Sequence, residues 1–492
     1  MRNRYLFFIM ITAILIAGCT PGRVKNAVQT NRVAIIIPDY KEITSPPNIA
    51  PLNFKLEGNN KNAHATFSSG TREFTVKAGN RGFDIPMRQW KKMLAEAIGN
   101  SIEVTIAVKN AGGWEELKPF KIYVANEPID PYLAYRLIEP GYQTWRTMGL
   151  YQRNIESHKQ SAIFENKMSG NNCVNCHSFS GHSPDKMLFH MRATYSGTLL
   201  IDGDKIEKLN TKTPQTIANL VYPYWHPGGR YVAFSVNITQ QAFHTNNPNR
   251  VEVFDTASDV VVYDTEKHEI ITSPLLFSNE RFETTPSFSP DGKTLYFASA
   301  IANPDPFNDF ENVKYSLLAI AFDPETRTFG TSVDTLFNTE TTGHSASFPR
   351  VSPDGRYLLY GHSSYGTFKI WHKDSELYII DLETKEHKLL SRANSSDSEG
   401  YHSWSSNGRW IVFGSRRDDG LYTRPYFAYI DEQGNDHKAF VLPQNDPEFY
   451  ERTTKSFNVP EFITGRVKNR GYDLSNMARN SSGTDVTFGG LR

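Results

Sequence analysis

The chain has 492 residues, with 53 basic and 53 acidic side chains and therefore a formal net charge of zero. This balance excludes the basic footprint of a nucleic-acid-binding protein, and the length allows two or three domains. Each of the three cysteines, Cys19, Cys173 and Cys176, lies in a pattern typical of covalent chemistry other than a disulfide.

The N-terminus is typical of a secretion signal, because Arg2 and Arg4 precede a short apolar run. The string Ile16-Ala17-Gly18-Cys19 resembles the lipobox of bacterial lipoproteins, which implies removal of residues 1–18 and lipidation of Cys19. An ordinary signal peptide with a chance cysteine is the alternative. Thr20 and the absence of a following acidic run predict an outer-membrane lipoprotein that faces the periplasm, with its lipid in the membrane and residues 19–31 as a tether.

Two segments follow the tether. Residues 32–127 contain strand-like stretches, and a helical pattern interrupts them, so we predict a small β-sandwich-like domain with one inserted helix. Residues 128–172 are rich in aromatic side chains, with a helix predicted near Trp145 to His158, and we interpret them as a connector. The residues on one face of the inserted helix are Met87, Trp90, Leu94, Ala97 and Ile98.

A repeat predicts the fold of residues 173–492. Each good copy is a β-hairpin, because a glycine able to adopt positive φ lies in the turn and an apolar strand follows it. Weaker copies occur at Ser183–Phe189 and Ser481–Phe488. Each unit also has a later strand that ends in an aspartate, which we interpret as a turn and cap residue rather than a metal ligand. The four good copies begin at Trp225, Phe288, Val351 and Trp404, with glycines at 229, 292, 355 and 408, and the aspartates are Asp202, Asp264, Asp323, Asp381 and Asp431.

Units of four strands cannot bury their faces alone, which predicts a mainly β chain with a six-bladed β-propeller. Because the last copy has only its first hairpin, we expect the strands that close the ring to come from near the start of the propeller. The strings resemble the TolB-type propeller repeat, with its Trp-Ser-Pro-Asp-Gly core. The whole layout resembles a lipoprotein family of Bacteroidetes that is described as TolB-like or as cytochrome c-related.

The string Cys173-Val174-Asn175-Cys176-His177 has the C-x-x-C-H spacing that attaches a c-type haem. In such a site Cys173 and Cys176 form thioethers, and His177 ligates the iron. Three alternatives remain open, namely a disulfide or redox dithiol, a zinc site, and a relic that no longer receives haem. The first propeller-like string begins only six residues after His177, so an ordinary helical cytochrome domain is not expected.

The second iron ligand is predicted from the strand that follows. Met191 is the first candidate, then His190, then Met187, and the two methionines share one face of the strand while His190 lies on the other. Core packing is the alternative role for both methionines.

We therefore predict a lipid-anchored periplasmic electron carrier whose propeller binds a redox or envelope partner. The alternative is a TolB-like envelope scaffold in which haem is structural or absent. An enzyme with five-coordinate haem is a third possibility, for which no acid–base residue can be identified.

Overall fold

The computed structural model describes residues 22–58, 62–139 and 146–492. The predicted signal peptide and the lipidation site Cys19 lie outside these ranges. Within the ranges, no helix has the length and apolar character needed to cross a membrane.

The N-terminal domain is built on one seven-stranded sheet with the order β1-β8-β7-β5-β6, in which β7 also pairs with β9 and β9 with β3. A separate two-stranded ladder joins β2 to β4. This topology supports a small β domain but does not confirm two facing sheets. Its elements are β1 Val28–Val33, β2 Ile36–Ile37, β3 Thr44–Ser45, β4 Lys55–Leu56, β5 Ala63–Ser69, β6 Arg72–Lys77, α1 Met87–Ala97, β7 Ser101–Asn110, β8 Gly113–Lys118 and β9 Phe120–Val124.

The inserted helix α1 forms where it was predicted and packs on this sheet. Trp90, Leu94 and Ala97 are buried, and the Trp90 Nε1–H donates to the Ile49 carbonyl at 3.1 Å. Ile98 differs from the prediction, because it follows the helix and is 48% exposed.

Five blades of the propeller follow each other along the chain, each an antiparallel sheet of four strands, and a sixth joins the two ends of the propeller. The predicted six-bladed propeller is therefore confirmed. Their strands are, in blade 1, β13 Cys173–Phe179, β14 Lys186–Arg192, β15 Gly197–Asp202 and β16 Lys205–Asn210; in blade 2, β17 Leu220–Trp225, β18 Tyr231–Phe243, β19 Val251–Asp264 and β20 Glu269–Thr272; in blade 3, β21 Arg281–Phe288, β22 Thr294–Ile301, β23 Ser316–Asp323 and β24 Thr328–Phe337; in blade 4, β25 Ser345–Val351, β26 Tyr357–Ser363, β27 Glu376–Asp381 and β28 His387–Leu389; and in blade 5, β29 Glu399–Trp404, β30 Trp410–Ser415, β31 Arg424–Tyr429 and β32 Phe440–Val441.

Blade 6 closes the ring with strands from both ends of the propeller. The strands β10 (Tyr132–Ile138), β11 (Met148–Asn154) and β12 (Gln160–Glu165) lie in the segment predicted to be a connector, and β10 pairs with the late strand β33 (Ser456–Ile463). The helix predicted near Trp145 to His158 is therefore wrong for the described residues. The propeller begins at residue 132 rather than at 173, and its closing strands do come from near its start.

The C-terminal residues form a strap on the outer edges of blades 6, 1 and 2. Helix α4 (Gly471–Asn480) packs against β12 and β16, while β34 (Thr484–Asp485) and β35 (Thr487–Leu491) pair in parallel with β16 and β20. The hairpin predicted at Ser481–Phe488 is wrong, because these residues add short edge strands instead. Covered edges cannot pair with other chains. Two further short helices are α2 Thr339–Thr342 and α3 Phe449–Arg452.

The repeated turn residues have the predicted structural role. The four repeat glycines lie in the left-handed region, with φ between 68° and 78°. Asp264, Asp323, Asp381 and Asp431 each accept backbone N–H groups from the turn that follows. Asp202 instead pairs with Lys186 at 2.6 Å.

A buried acid between blades 2 and 3 gives a pH-dependence prediction. Glu283 is 1% exposed, and burial together with the nearby Asp259 raises the pKa of Glu283 to about 8 from 4.5. The folded chain then holds a proton that the unfolded chain releases, so this contribution to stability is complete below about pH 4.5 and is lost as pH rises towards 8. We expect Glu283→Gln to raise the unfolding temperature by about 2–5 °C at pH 8 and by little at pH 5.

The measurement is thermal unfolding of the parent and the variant at both pH values. Glu325→Gln, which removes an exposed carboxylate in the same blade, is the matched control. An equal effect of Glu283→Gln at the two pH values would contradict the assignment.

Candidate functional site in the propeller channel

The innermost strand of every blade carries a β-bulge at the same position. In each strand one residue other than glycine has a positive φ of 45° to 54°, and the pairing register shifts beside it. Proline follows this bulge residue in blades 2, 3, 4 and 6, whereas histidine follows it in blades 1 and 5. Bulges re-aim side chains and are frequent next to binding sites. In blades 1 to 6 the bulge residues and their successors are Cys176-His177, Tyr222-Pro223, Thr285-Pro286, Phe348-Pro349, Tyr401-His402 and Val459-Pro460.

A cavity of about 300 Å³ lies where these strands meet. Five of the six bulge residues line it, all except Thr285. Four aromatic rings form a collar in its wall. The ring centroids of Tyr222 and Tyr401 each lie within 6.0 Å of the ring centroids of Phe348 and Phe368. A cavity of this volume, lined by aromatic rings together with polar and charged side chains, can hold a small molecule.

Cys176 and His177 both line the cavity. The His177 side chain is 3% exposed, and neither ring nitrogen has a hydrogen-bond partner. Burial, with a smaller contribution from Arg136, lowers the pKa of His177 to about 3, so the ring is neutral. A buried neutral imidazole without partners costs free energy unless a ligand engages it.

Cys173 lies apart from this wall. It is 6% exposed and belongs to an apolar cluster shared by blades 1 and 6, which includes Met148 and Ile163. Burial raises the pKa of the Cys173 thiol, against the opposite effect of Arg136 and Arg192. The two thiols are free rather than joined in a disulfide.

The structure places none of the three sequence candidates for a second iron ligand at the cavity. Met187 and Met191 are buried in the same apolar cluster as Cys173. His190 is 2% exposed, and its Nδ1 lies 3.3 Å from the Thr198 hydroxyl. All three belong to β14, the second strand of the blade, whereas the innermost strands supply most of the cavity wall.

Sequence reasoning missed several residues of the site. His402 occupies in blade 5 the position of His177 in blade 1, and its Nε2–H donates to the Phe348 carbonyl at 2.7 Å while Nδ1 has no partner. Burial beside Arg350 lowers the pKa of His402 to about 3, although the Phe348 and Leu359 backbone acts in the opposite direction. The signal was the proline or histidine that lies two residues before each of the four good turn strings. Arg136 and Glu461, which also line the cavity, carry no such signal.

The residues at the cavity fit a haem only in part. His177 offers an unpartnered neutral nitrogen, and Cys176 lies beside it in the same wall. The fit does not extend to Cys173. Across the described ranges, no group of three or more His, Cys, Asp and Glu residues is arranged to hold a metal ion.

Neither a protein-family profile nor a curated protein matches the sequence. Solved structures resemble it in fold. TolB from Acinetobacter baumannii is 13% identical with a TM-score of 0.43, over 87% of this chain and 98% of TolB. The periplasmic gluconolactonase PpgL of Pseudomonas aeruginosa is 11% identical with a TM-score of 0.37, over 67% of this chain and 99% of that one. An oligogalacturonate lyase in complex with manganese is 13% identical with a TM-score of 0.33, over 63% and 85%.

Proposed function

We propose that this chain is a binding protein of the cell envelope whose ligand lies in the propeller channel, and that the ligand is a haem attached through Cys176 and ligated by His177. The observation that carries this proposal is the buried His177 ring, whose two nitrogens have no partner in the wall of the cavity. The C-x-x-C-H spacing, in a chain with a predicted export signal, supports the same ligand.

The residues of the channel have distinct parts in this proposal. His177 is held neutral by burial, which keeps a lone pair available for the iron. The aromatic collar of Tyr222, Phe348, Phe368 and Tyr401 keeps water from the ligand. Haem, when bound, supplies one-electron transfer, and the electron would pass to a redox or envelope partner. The location, an outer-membrane lipoprotein anchored at Cys19 and facing the periplasm, is proposed from the N-terminal sequence.

The second candidate function is an envelope scaffold that carries no haem. The bulge repeated in all six blades favours it, because this repeat alone accounts for the backbone conformation of Cys176. In that case the channel binds another small molecule or a segment of a partner, and the two cysteines are packing residues.

A pyridine haemochrome spectrum separates the two candidates. The full-length protein is made in a host with a c-type maturation system, washed with acidified acetone, and compared with a control cytochrome from the same cells. A retained c-type spectrum supports haem attachment. Loss of all haem, while the control cytochrome is matured, would leave the scaffold.

If haem is attached, we expect His402 rather than His190 to affect the spin state of its iron. His402 lines the cavity and donates Nε2–H to a backbone carbonyl, as metal-binding histidines do. His402→Ala is expected to shift the iron towards high spin, measured by visible absorption and electron paramagnetic resonance. His190→Ala is the matched control, and an equal shift in that variant would contradict this assignment.

A further inference from the structure

Two arginines, one in the cavity wall and one at the end of β14, lack acidic partners. Arg136 of β10 lines the cavity and is 8% exposed. One of its terminal nitrogens donates to the Asn175 side chain, and its Nε has no partner. Arg192, the last residue of β14, is exposed. Neither arginine forms an ion pair with a carboxylate in the described part of the chain. Buried charges are normally paired, so the position of Arg136 is costly without a ligand.

The two arginines lie near the same stretch of β13, since Arg136 donates to Asn175 and Arg192 is paired with Cys173, two residues before it. The charges of Arg136 and Arg192 both lower the pKa of the Tyr401 hydroxyl, which burial raises, and both lower the pKa of Cys173. Arg192 also acts on Tyr222, the facing member of the aromatic collar. The positive charges of both arginines therefore act on the tyrosines of the aromatic collar.

The cavity wall does not neutralise this charge. Among the described residues that line the cavity, Glu461 is the one carboxylic acid. Burial raises the pKa of Glu461 to about 8, so most of it is protonated at pH 7. Arg350, also in the wall, adds a further guanidinium and lies over the Tyr224 ring at 4.8 Å.

We infer that Arg136 and Arg192 bind the carboxylate of a channel ligand whose planar or apolar body lies against the aromatic collar. Guanidinium groups pair with carboxylates through charge-assisted hydrogen bonds, and the rings supply apolar contact. The inference rests on the proposed channel-binding function. The carboxylate can belong to a haem or to a separate small organic acid, and the experiment distinguishes these sources.

The test uses the full-length protein with Cys173→Ser and Cys176→Thr, which cannot attach haem. Serine occupies the position of Cys173 in blades 4, 5 and 6, and threonine that of Cys176 in blade 3, so these changes suit the fold. Protoporphyrin IX and its dimethyl ester are titrated by fluorescence, since both have the planar body and only the first has carboxylates. We expect the acid to bind at least tenfold more tightly, and expect Arg136→Gln with Arg192→Gln to remove this difference.

Succinate is the second probe, and it represents a small organic acid. If the carboxylate comes from such an acid, we expect succinate to raise the unfolding temperature of the haem-free cysteine variant. We expect no such rise when Arg136→Gln and Arg192→Gln are added. Arg88→Gln, an exposed residue of α1, is the control. Arg192→Gln alone serves if the buried Arg136 change impairs folding, as judged by circular dichroism.

Three results would overturn the inference: equal binding of acid and ester, an acid preference that survives the arginine changes, or no response to either probe. The haemochrome test of the proposed haem is made on unmodified cysteines, so its failure and the failure of carboxylate binding are separate results.

Discussion

Removal of residues 456–492 is expected to leave no folded propeller, whereas removal of residues 464–492 alone is expected to leave a folded protein of lower stability. The first truncation deletes β33, the innermost strand of blade 6, and with it the pairing that joins the two ends of the ring. Phe457, Phe462 and Ile463 are each at most 1% exposed. Their burial contributes about 1.5–3 kcal/mol each, and the sum approaches the 5–15 kcal/mol of net stability typical of a domain.

The shorter truncation removes only the strap. It removes α4 with its buried Leu474 and Ala478 and exposes the edges of β16 and β20, but it leaves all six blades with their four strands. Thermal unfolding by circular dichroism and limited proteolysis of the full-length protein and both truncations are the measurements. If the protein without residues 456–492 unfolds cooperatively, at the same temperature as the protein without residues 464–492, then β33 does not close the ring.

Blades 1 to 5 could be predicted from the sequence because the information for each is local. A turn with a glycine in the left-handed region joins two strands that are adjacent in the chain. Blade 6 has no such signal, because β10 and β33 are paired across more than 300 residues. The helix predicted near residue 150 fails for the same reason, since the partners that make β11 a strand are not visible from its own residues.

The sequence drew attention to Cys176 and His177, which line the cavity, but not to the residues that surround them. The alternation along β14 was right, because Met187 and Met191 share one apolar cluster and Leu188 belongs to another. However, the channel is lined mainly by innermost strands, and Met187, His190 and Met191 of β14 do not line it. Arg136 and His402 come from blades 6 and 5, and only the closed ring brings them near His177.

The second large effect expected is an unequal dependence of haem attachment on the two cysteines. Cys176 lines the cavity with His177, whereas Cys173 is packed in the apolar cluster between blades 1 and 6. Cys176→Thr is therefore expected to abolish covalent haem, and Cys173→Ser to retain a haem held by one thioether. Haem staining after denaturing electrophoresis measures attachment, and the haemochrome spectrum counts the thioethers.

The replacements are chosen so that a loss of haem is not a loss of fold. Threonine is tolerated at the blade 3 bulge with φ of 50°, close to the 45° of Cys176, and Ser345, Ser398 and Ser456 hold the Cys173 position in other blades. Both variants should therefore unfold near the temperature of the haem-free parent. An equal and complete loss of haem in both would mean that the two thiols reach one ligand, and that the start of β13 turns towards the channel when haem is attached. Full retention in Cys176→Thr would instead place the attachment at Cys173 and remove Cys176 from the site.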